Sequence, residues 1–421
     1  MRRSELFTKT WREAPADEEN KGTQLLIRAG YIHKEMAGVY SMLPLGKRVL
    51  DRIIQIVREE MNRVGGQEMA MTTLQDRALW QQTERWDSAT VDVWFKTALQ
   101  AGGELGLAWS HEEPMTRMMT QFVSSYKDLP AYPYQFQNKL RNELRVKSGL
   151  LRAREFVMKD LYSFSRSREE HEEFYNRIAE AYMKVYERLD IGDITYKTFA
   201  SGGAFSKYSD EFQTLSSAGE DTIYVHMDKK VAINKEVMTD EALAELGLAR
   251  EELKEQTAVE VGNIFTLGTR FSEPLGLYFT AQDGTAQPVF MGSYGIGPSR
   301  LVGLLAEHFA DDKGLVWPEA VAPFRVYLAR LGDSADKVEM ADRLYGQLTD
   351  AQVAVLYDDR RDASAGEMFA DADLIGSPYR VVVSEKTVAE NKYELKNRRS
   401  DKLQFLPADQ LIPTLVTPAT N

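Results

Sequence analysis

One short stretch of this chain holds residues that could bind phosphate and a planar base. Residues 139–159 contain seven Lys or Arg and two acidic residues, although the whole chain carries a formal net charge of −12. Arginine side chains suit phosphate oxygens, and an aromatic ring beneath a guanidinium can hold a planar base. The same pattern also suits a solvated, salt-bridged hairpin, so the stretch alone leaves both interpretations open. The residues concerned are Arg141, Glu143, Arg152, Arg154 and Phe156.

A second stretch combines glycine with an arginine. The segment MGSYGIGPSR, residues 291–300, predicts a Gly-rich strand that leads into a helix with Arg300 in its first turn. A Gly-x-Gly run is weak by itself, because glycine often marks close packing only. The segment lacks the strand–turn–helix order of a P-loop or a Rossmann fingerprint. The order of the two stretches is therefore more informative than either alone.

Composition limits the chemistry that can support such a site. The 421 residues include no cysteine, which excludes disulfides, thiolate zinc sites and a cysteine nucleophile. The five histidines are scattered without metal-ligand spacing, so we expect no resident metal site. A pI near 5.2 means that any nucleic-acid binding must use local patches.

The N-terminal residues and the lengths of the apolar runs indicate the cellular location to expect for the protein. No apolar run approaches the length of a membrane span. The N-terminal stretch MRRSELFTKTWREAPADEEN has no apolar segment typical of a secretory signal, and it is acidic from Glu13 onward. We therefore expect a cytoplasmic protein without a membrane partner.

The patterns predict the elements that must position these residues. A helix is expected over residues 46–64, followed by a strand over 67–74, a helix over 113–125 and another over 169–189. Between the last two helices, residues 137–164 predict two antiparallel strands around a turn at 147–149, so Arg141 and Glu143 would share one strand face. Apolar strands and then a helix over 299–308 are predicted at the end of this first part of the chain.

Two prolines, Pro318 and Pro323, mark a boundary. Beyond it, strand and helix patterns alternate, which predicts a small α/β domain. We thus expect an α/β (α+β) fold with domains at 1–320 and 321–421. A charged stretch at about 225–257, helical in pattern, predicts a small surface insertion in the first domain.

These motifs together resemble the class II aminoacyl-tRNA synthetases, and within them the bacterial prolyl-tRNA synthetase family that lacks an inserted editing domain. The resemblance covers nearly the whole chain in the family's order. The segments that carry it are RAGYIHKEMAGVYSMLPLG (28–46), SHEE (110–113), RNELRVKSGLLRAREFVMKDLYSF (141–164), YSDEFQTLSSAGED (208–221), EVGNIFTLGTRFS (260–272), MGSYGIGPSR (291–300), KGLVWPEAVAPF (313–324) and the tail with DDRRDASAGEMFADADLIGSPYRVVV.

The resemblance implies an antiparallel-sheet catalytic domain followed by an anticodon-binding domain, and it implies roles for matching residues. Arg141 would contact the α-phosphate of ATP and stabilise charge as the carboxylate of proline attacks. Glu143 would hold the other end of the nucleotide. Arg152 and Arg300 would hold the β- and γ-phosphates. Phe156 would stack on one face of the adenine, and Arg300 would lie on the other face of the adenine.

Other implied roles concern proline, the metal and RNA. Ser110 and Glu112 would bind proline, with Gly292 and Ser293 on the pocket floor. Ser209, Asp210 and Glu211 would lie at the ATP site, where Glu211 would contact the Mg²⁺ that accompanies ATP. Arg145 and Lys147 would touch the acceptor end of the proline tRNA. A homodimer is also implied.

Several positions depart from the family pattern. Thr72 replaces a proline at the dimer seam, Ser110 replaces a threonine, and Asp210 replaces a histidine, which alters charge near the substrate. The insertion at residues 229–256 is too short for the family's editing domain. Arg141, Arg152 and Arg300 are all retained.

Three alternatives remain open from the sequence. The first is a sister synthetase of the same subclass; a threonyl enzyme would need a Cys/His zinc site, which this chain lacks. The second is a catalytically silent, synthetase-like regulatory protein, which we would expect to have lost the phosphate arginines. The third is a pure RNA-binding module, disfavoured by the acidic C-terminal domain.

Overall fold

A computed structural model describes residues 1–144, 146, 148–203, 205, 208–400 and 402–416. The helices are numbered in chain order: α1 (Lys21–Arg28), α2 (Pro44–Arg63), α3 (Arg77–Gln81), α4 (Glu112–Met119), α5 (Arg168–Arg188), α6 (Asp240–Glu245), α7 (Pro298–His308), α8 (Ala335–Asp350), α9 (Ala365–Ile375), α10 (Glu385–Ala389) and α11 (Ala408–Val416). Within the described ranges, none of them is long and apolar enough to cross a membrane.

The strands are numbered in the same way: β1 (Ile32–Met36), β2 (Val39–Met42), β3 (Gln67–Glu68), β4 (Leu74–Asp76), β5 (Lys96–Ala98), β6 (Glu104–Leu107), β7 (Pro133–Leu140), β8 (Glu155–Ser165), β9 (Thr195–Ser201), β10 (Tyr208–Leu215), β11 (Asp221–His226), β12 (Val231–Asn234), β13 (Lys254–Gly268), β14 (Tyr278–Thr280), β15 (Ala286–Pro288), β16 (Phe290–Ile296), β17 (Val326–Arg330), β18 (Val355–Asp358), β19 (Tyr379–Val383), β20 (Tyr393–Asn397) and β21 (Leu403–Leu406).

The chain divides into two compact units. The first contains Met1–Met36, Tyr40–Arg52 and Val302–Asn421, and the second contains Ala37–Val39 and Ile53–Leu301. The N-terminal residues thus group with the C-terminal α/β part of the chain. The domain boundary that the sequence suggests between residues 320 and 321 stays a prediction.

The second unit is built on a sheet of nine strands among the described residues, in the order β10-β9-β12-β11-β13-β16-β8-β7-β3. The long central strands β13, β16, β8 and β7 pair antiparallel with one another. Helix α5 packs on one face of these strands, where Phe174 of the helix meets Tyr294 of β16 edge to face. The opposite face remains available for a site.

The structure corrects the predicted hairpin. Strand β7 ends at Leu140 and β8 begins at Glu155, so Arg141, Glu143, Arg152 and Arg154 lie in the connection and not on strand faces. Side-chain hydrogen bonds hold this connection: Arg154 donates to the backbone oxygens of Glu143 and Ala37. Hydrogen bonds from side chains thus replace the backbone hydrogen bonds of paired strands in this connection. An alternating sequence pattern alone does not reveal this difference.

Other elements follow the sequence more closely. The predicted helices at 46–64, 169–189 and 299–308 are confirmed within one or two residues by α2, α5 and α7. The helix predicted over 113–125 ends earlier, at Met119. Of the strand predicted over 67–74, only Gln67–Glu68 pairs with β7, and the next strand begins at Leu74. The prediction is therefore wrong for the residues in between.

The insertion is also different from its predicted helical form. Its residues form strand β12, the short helix α6 and the start of β13, and β12 pairs with both β11 and β9. The segment therefore widens the nine-stranded sheet, because its apolar residues Ala232 and Ile233 are buried.

The α/β pattern predicted for the C-terminal part is confirmed. The sheet order is β18-β17-β19-β20-β21, with parallel pairs at β17–β18 and β17–β19 and antiparallel pairs beyond. Helices α8 and α11 cover one face of it, where Leu344 and Leu411 are buried.

Candidate active site

One pocket lies on the open face of the nine-stranded sheet. Residues from helix α4, the β7–β8 connection and strands β8, β13 and β16 line it. It brings together eight of the residues singled out from the sequence: Ser110, Glu112, Arg141, Glu143, Arg152, Phe156, Ser293 and Arg300.

Strand alternation decides which neighbours face the pocket. On β8, Phe156, Met158, Asp160 and Tyr162 line it in one row. On β16, Ser293 faces the pocket. Gly292, which we expected on the pocket floor, is turned toward α5: a Cβ there would press on the Tyr294 hydroxyl and stand 2.6 Å from Cε1 of His171.

Glu112 is held by a ring of donors at one end of the pocket. Ser110 Oγ donates to it at 2.5 Å, Tyr162 at 3.2 Å and Ser293 at 3.4 Å. Arg85 Nη1 lies 3.3 Å from the same carboxylate and 3.0 Å from Glu113. These contacts fix a buried carboxylate where a ligand ammonium group could bind it.

A buried ionic network supports this end. Lys139 Nζ lies 2.5 Å from His111 Nδ1 and 2.9 Å from Asp160, and Tyr162 donates to Asp160 at 3.0 Å. Burial, together with the charge of Lys139, lowers the pKa of His111 to about 4. His111 is therefore neutral, and its Nδ1 can accept from the lysine. Burial opposes ionisation of Asp160, but the charge of Lys139 and the hydrogen bonds from Gln135 and Lys139 outweigh it and lower the pKa of that carboxyl.

The sequence interpretation missed Arg85, Lys139, Asp160 and Tyr162. The row that begins at Phe156 could have revealed two of them, because Asp160 and Tyr162 continue it with period 2 along β8. No sequence pattern links Arg85 to Glu112 and Glu113, because Arg85 lies in a separate loop of the chain.

Arginines gather at the other end of the pocket. The guanidinium of Arg141 lies 5.3 Å from the centre of the Phe156 ring, and its Nε is 3.4 Å from the Trp109 carbonyl. Arg300 donates to Glu260 Oε2 at 3.0 Å and to the Leu151 carbonyl at 2.8 Å. The cation over Phe156 is thus Arg141. The expected position of Arg300, on the opposite face of a bound adenine, stays a prediction.

Arg152 is paired with two acids. It donates to Glu143 at 2.8 Å and to Glu220 at 2.9 Å. Arg141, Arg152 and Arg300 also line a contiguous polar cleft with Asp221 and Glu260. This cleft can take an anion that competes with the carboxylates for the guanidinium groups.

Three carboxylates from neighbouring strands form a cluster: Glu211 of β10, Asp221 of β11 and Glu260 of β13. Gln213 donates to Glu211 at 2.9 Å and to Asp221 at 2.8 Å. Burial and the charge of Glu260 raise the pKa of Glu211 to about 8, and burial raises the pKa of Asp221. Such crowding fits a bound cation, although the described residues contain no ready-made group of three metal ligands.

Asp210 and Ser209 do not lie with Glu211 in the carboxylate cluster. Asp210 faces α5, where Tyr175 donates to it at 2.9 Å and Lys197 Nζ lies 2.9 Å away. Ser209 donates to the Ser201 carbonyl at 2.9 Å. Neither residue lines the pocket or the cleft described above. Arg145 and Lys147, expected near an RNA end, lie outside the described residues.

Comparison with known families agrees with this arrangement. Residues 95–309 match the profile described as "tRNA synthetase class II core domain (G, H, P, S and T)", and residues 325–417 match "Anticodon binding domain". The chain thus has the core domain of a class II aminoacyl-tRNA synthetase followed by an anticodon-binding domain.

Curated relatives narrow the assignment. The chain is 37% identical to the proline–tRNA ligase of Agrobacterium fabrum, covering 95% of this chain and 96% of the relative. It is 38% identical to that of Methylobacterium radiotolerans, covering 98% and 99%. The chain therefore belongs to the proline–tRNA ligase family.

A solved structure shares the fold. The prolyl-tRNA synthetase of Cryptosporidium parvum, solved with L-proline and AMP, superposes with a TM-score of 0.75 at 18% identity, covering 94% of this chain and 74% of that one. At this identity the likeness supports the fold alone.

Proposed function

We propose that this protein activates L-proline with ATP to prolyl-adenylate and transfers the prolyl group to the 3′ end of the proline tRNA. The observation that carries the proposal is that Glu112, Arg141 and Phe156 line one and the same pocket. An amino acid and a nucleotide bound there would meet in the middle, which lowers the entropic cost of their reaction.

At the amino-acid end, Glu112 would bind the ammonium group of proline. The hydroxyls of Ser110, Tyr162 and Ser293 hold that carboxylate, so its geometry is set before the substrate arrives. The carboxylate of proline would then point toward Arg141.

At the nucleotide end, Arg141 would stabilise the charge that develops on the α-phosphate. Phe156 would stack on the adenine, with Glu143 near the base. Arg152 and Arg300 would exchange their present carboxylate partners for the β- and γ-phosphates. Proline attack breaks the bond between the α- and β-phosphates, and pyrophosphate leaves.

Glu211 would contact the Mg²⁺ that accompanies ATP, with Asp221 beside it. The fit rests on Gln213, which donates to both carboxylates and so brings them together. A nearby cation would also offset the burial and the repulsion that raise the pKa of Glu211. Bound there, Mg²⁺ would neutralise phosphate charge. Ser209 and Asp210 would support the strand beside this cluster, and Gly292 would let β16 approach α5.

The proposal extends to the partners. Arg145 and Lys147 would contact the acceptor end of the tRNA, and residues 321–421 would form the anticodon-binding domain. We further propose a homodimer that works in the cytoplasm.

Pyrophosphate exchange with ATP, measured with each of the twenty amino acids, tests the function. We expect exchange with proline, and a weak rate with alanine. No exchange with proline, or a faster rate with another amino acid, would overturn the assignment. A folded protein with no exchange at all would favour the silent regulatory alternative.

A further inference from the structure

The first residues of the chain form an extended segment that lies on the C-terminal α/β part of the same unit. Tyr357 of β18 donates its backbone N–H to the Met1 carbonyl at 3.0 Å, and Arg2 forms a parallel bridge with Tyr357. Ser4 donates to Asp359 through its hydroxyl at 2.8 Å. The segment is therefore anchored beside the end of β18.

Its next residues, 7–12, alternate between anchored and exposed side chains; we name them the N-terminal arm. Thr8 is buried, its carbonyl accepts from Arg3 at 2.6 Å, and Thr10 donates to Asp371 of α9 at 2.7 Å. The N–H of Trp11 donates to the Arg28 carbonyl at 2.7 Å. These contacts hold the backbone of the arm in place.

The other side chains of the arm point outward. Phe7 is 74% exposed and Trp11 is 61% exposed, and the exposed residues Lys9 and Arg12 accompany them. The exposed side chains of the arm are thus two aromatic rings and two basic groups. Two large rings exposed on a fixed backbone are unusual for a surface without a partner.

Basic side chains lie beside the exposed rings of the arm. Lys9, Arg12 and the nearby Arg361 have no ion pair among the described residues. Of the nearby acids, Asp359 is engaged by Ser4 and Arg2, and Asp371 by Thr10 and Arg360. The exposed acids Glu5, Glu13 and Asp362 have no ion pair there either, so the arm and its surroundings carry no net positive charge. The case for RNA therefore rests on basic side chains placed next to exposed aromatic rings.

From these observations we infer that the N-terminal arm is a stacking platform for unpaired RNA bases. Phe7 and Trp11 offer ring faces on which bases of an RNA loop stack, while Lys9 and Arg12 contact the phosphates between them. The fixed backbone reduces the ordering cost of binding. The inference rests on the proposed function, in which the RNA is the proline tRNA and its unpaired bases are those of the anticodon loop.

The test compares arm variants in two assays. A hairpin RNA copying the anticodon stem-loop of the proline tRNA is titrated with the protein, and proline-dependent pyrophosphate exchange is measured without RNA. The double substitution Phe7→Ala with Trp11→Ala should weaken hairpin binding roughly tenfold or more, the scale for lost base stacking. Exchange should not change, because the residues that line the pocket belong to the second unit and the arm belongs to the first.

Three further variants sharpen the result. Trp11→Phe keeps a ring and should retain most of the affinity. Lys9→Gln with Arg12→Gln should reduce the slope of log Kd against log salt by roughly 0.7 per charge. Met36→Ala removes an exposed apolar side chain of the same unit that lies outside residues 321–421, and it should change nothing.

Two results would overturn the inference. One is unchanged hairpin affinity in the double variant. The other is a double variant that becomes monomeric while the wild type is dimeric, since the rings would then bind a second copy of the chain. Absence of exchange in the wild-type protein would instead contradict the proposed function, and the hairpin titration would still decide the role of the arm.

Discussion

Arg141 is the residue on which the proposed chemistry depends most. It lies in the pocket between Trp109 and the Phe156 ring, where its guanidinium can reach both substrates. We expect Arg141→Ala to slow proline-dependent exchange by roughly 10²–10³-fold, the scale for losing one donor to transition-state charge. The exposed Arg117 on α4 provides the control, and Arg117→Ala should leave exchange unchanged. Near-wild-type exchange in Arg141→Ala would mean that this arginine only supports the local structure.

Arg85 acts on the substrate through another residue. Its side chain is fully buried against Glu112 and Glu113, with the rings of Trp109 and Phe205 within 5 Å of its guanidinium carbon. We expect Arg85→Gln to raise the KM for proline at least tenfold while the KM for ATP changes little, because Glu112 loses the cation that orients it. Loss of a buried ionic partner also costs stability, typically about 3–5 kcal/mol.

Arg85→Lys keeps the charge and should restore part of the proline affinity. Thermal unfolding separates the positioning role from a general loss of structure. A folded Arg85→Gln protein with an unchanged KM for proline would contradict this role.

At the scale of elements, strands β10, β11 and β13 bring three acids together. Glu211 is ionised in an unfolded chain above about pH 4.5, but its pKa in the folded protein is raised to about 8. Its protonated form therefore stabilises the fold at low pH, and this contribution is lost as the pH rises toward 8. We expect the Tm of the metal-free protein to fall between pH 5 and 8.5 more than that of Glu211→Gln.

Magnesium with ATP should offset much of that fall in the wild type, because the cation favours the ionised carboxylates. The exposed Glu241 on α6 supplies the control, and Glu241→Gln should behave as the wild type does. If Glu211→Gln shows the same pH dependence as the wild type, another group is responsible.

At the scale of the whole molecule, we expect a homodimer. Strand β3 is the edge strand of the nine-stranded sheet, and Leu74, shortly after it, is 56% exposed. An unpaired edge next to an exposed apolar residue favours association. Light scattering at micromolar concentration should give the mass of two chains, and Leu74→Asp should shift it toward one, whereas Leu246→Asp in the insertion should not. An active monomer of the wild type would refute the dimer.

The size of the molecule also affects how accurately the enzyme discriminates proline from alanine. Alanine fits a cavity shaped for proline, and the lost methylene contacts provide only roughly 1–3 kcal/mol of discrimination. The insertion adds a strand to the main sheet and one short helix, which is too little for the family's editing domain. We expect alanine to be attached to the proline tRNA and not removed. Pre-formed alanyl-tRNA of the proline type should be stable with the enzyme, relative to a blank; rapid enzyme-dependent hydrolysis would reveal an editing site.

The sequence by itself determined the fold class and most of one site. The class II core and its nucleotide site were predicted from the resemblance that segments such as residues 141–164 and 291–300 carry, whereas the absence of cysteine only excluded thiolate chemistry. Periodicity also predicted α2, α5 and α7, because burial of one helix face leaves a regular pattern in the sequence.

Only the tertiary structure decided how these residues meet. It placed Arg141 in a connection above Phe156, turned Gly292 and Asp210 toward α5, and joined Lys139 to His111 and Asp160. It also laid the N-terminal arm on the C-terminal part of its unit. Local spacing fixes only which residues share a face of one element. Contacts between distant segments, and the pKa values that they shift, depend on which elements pack together.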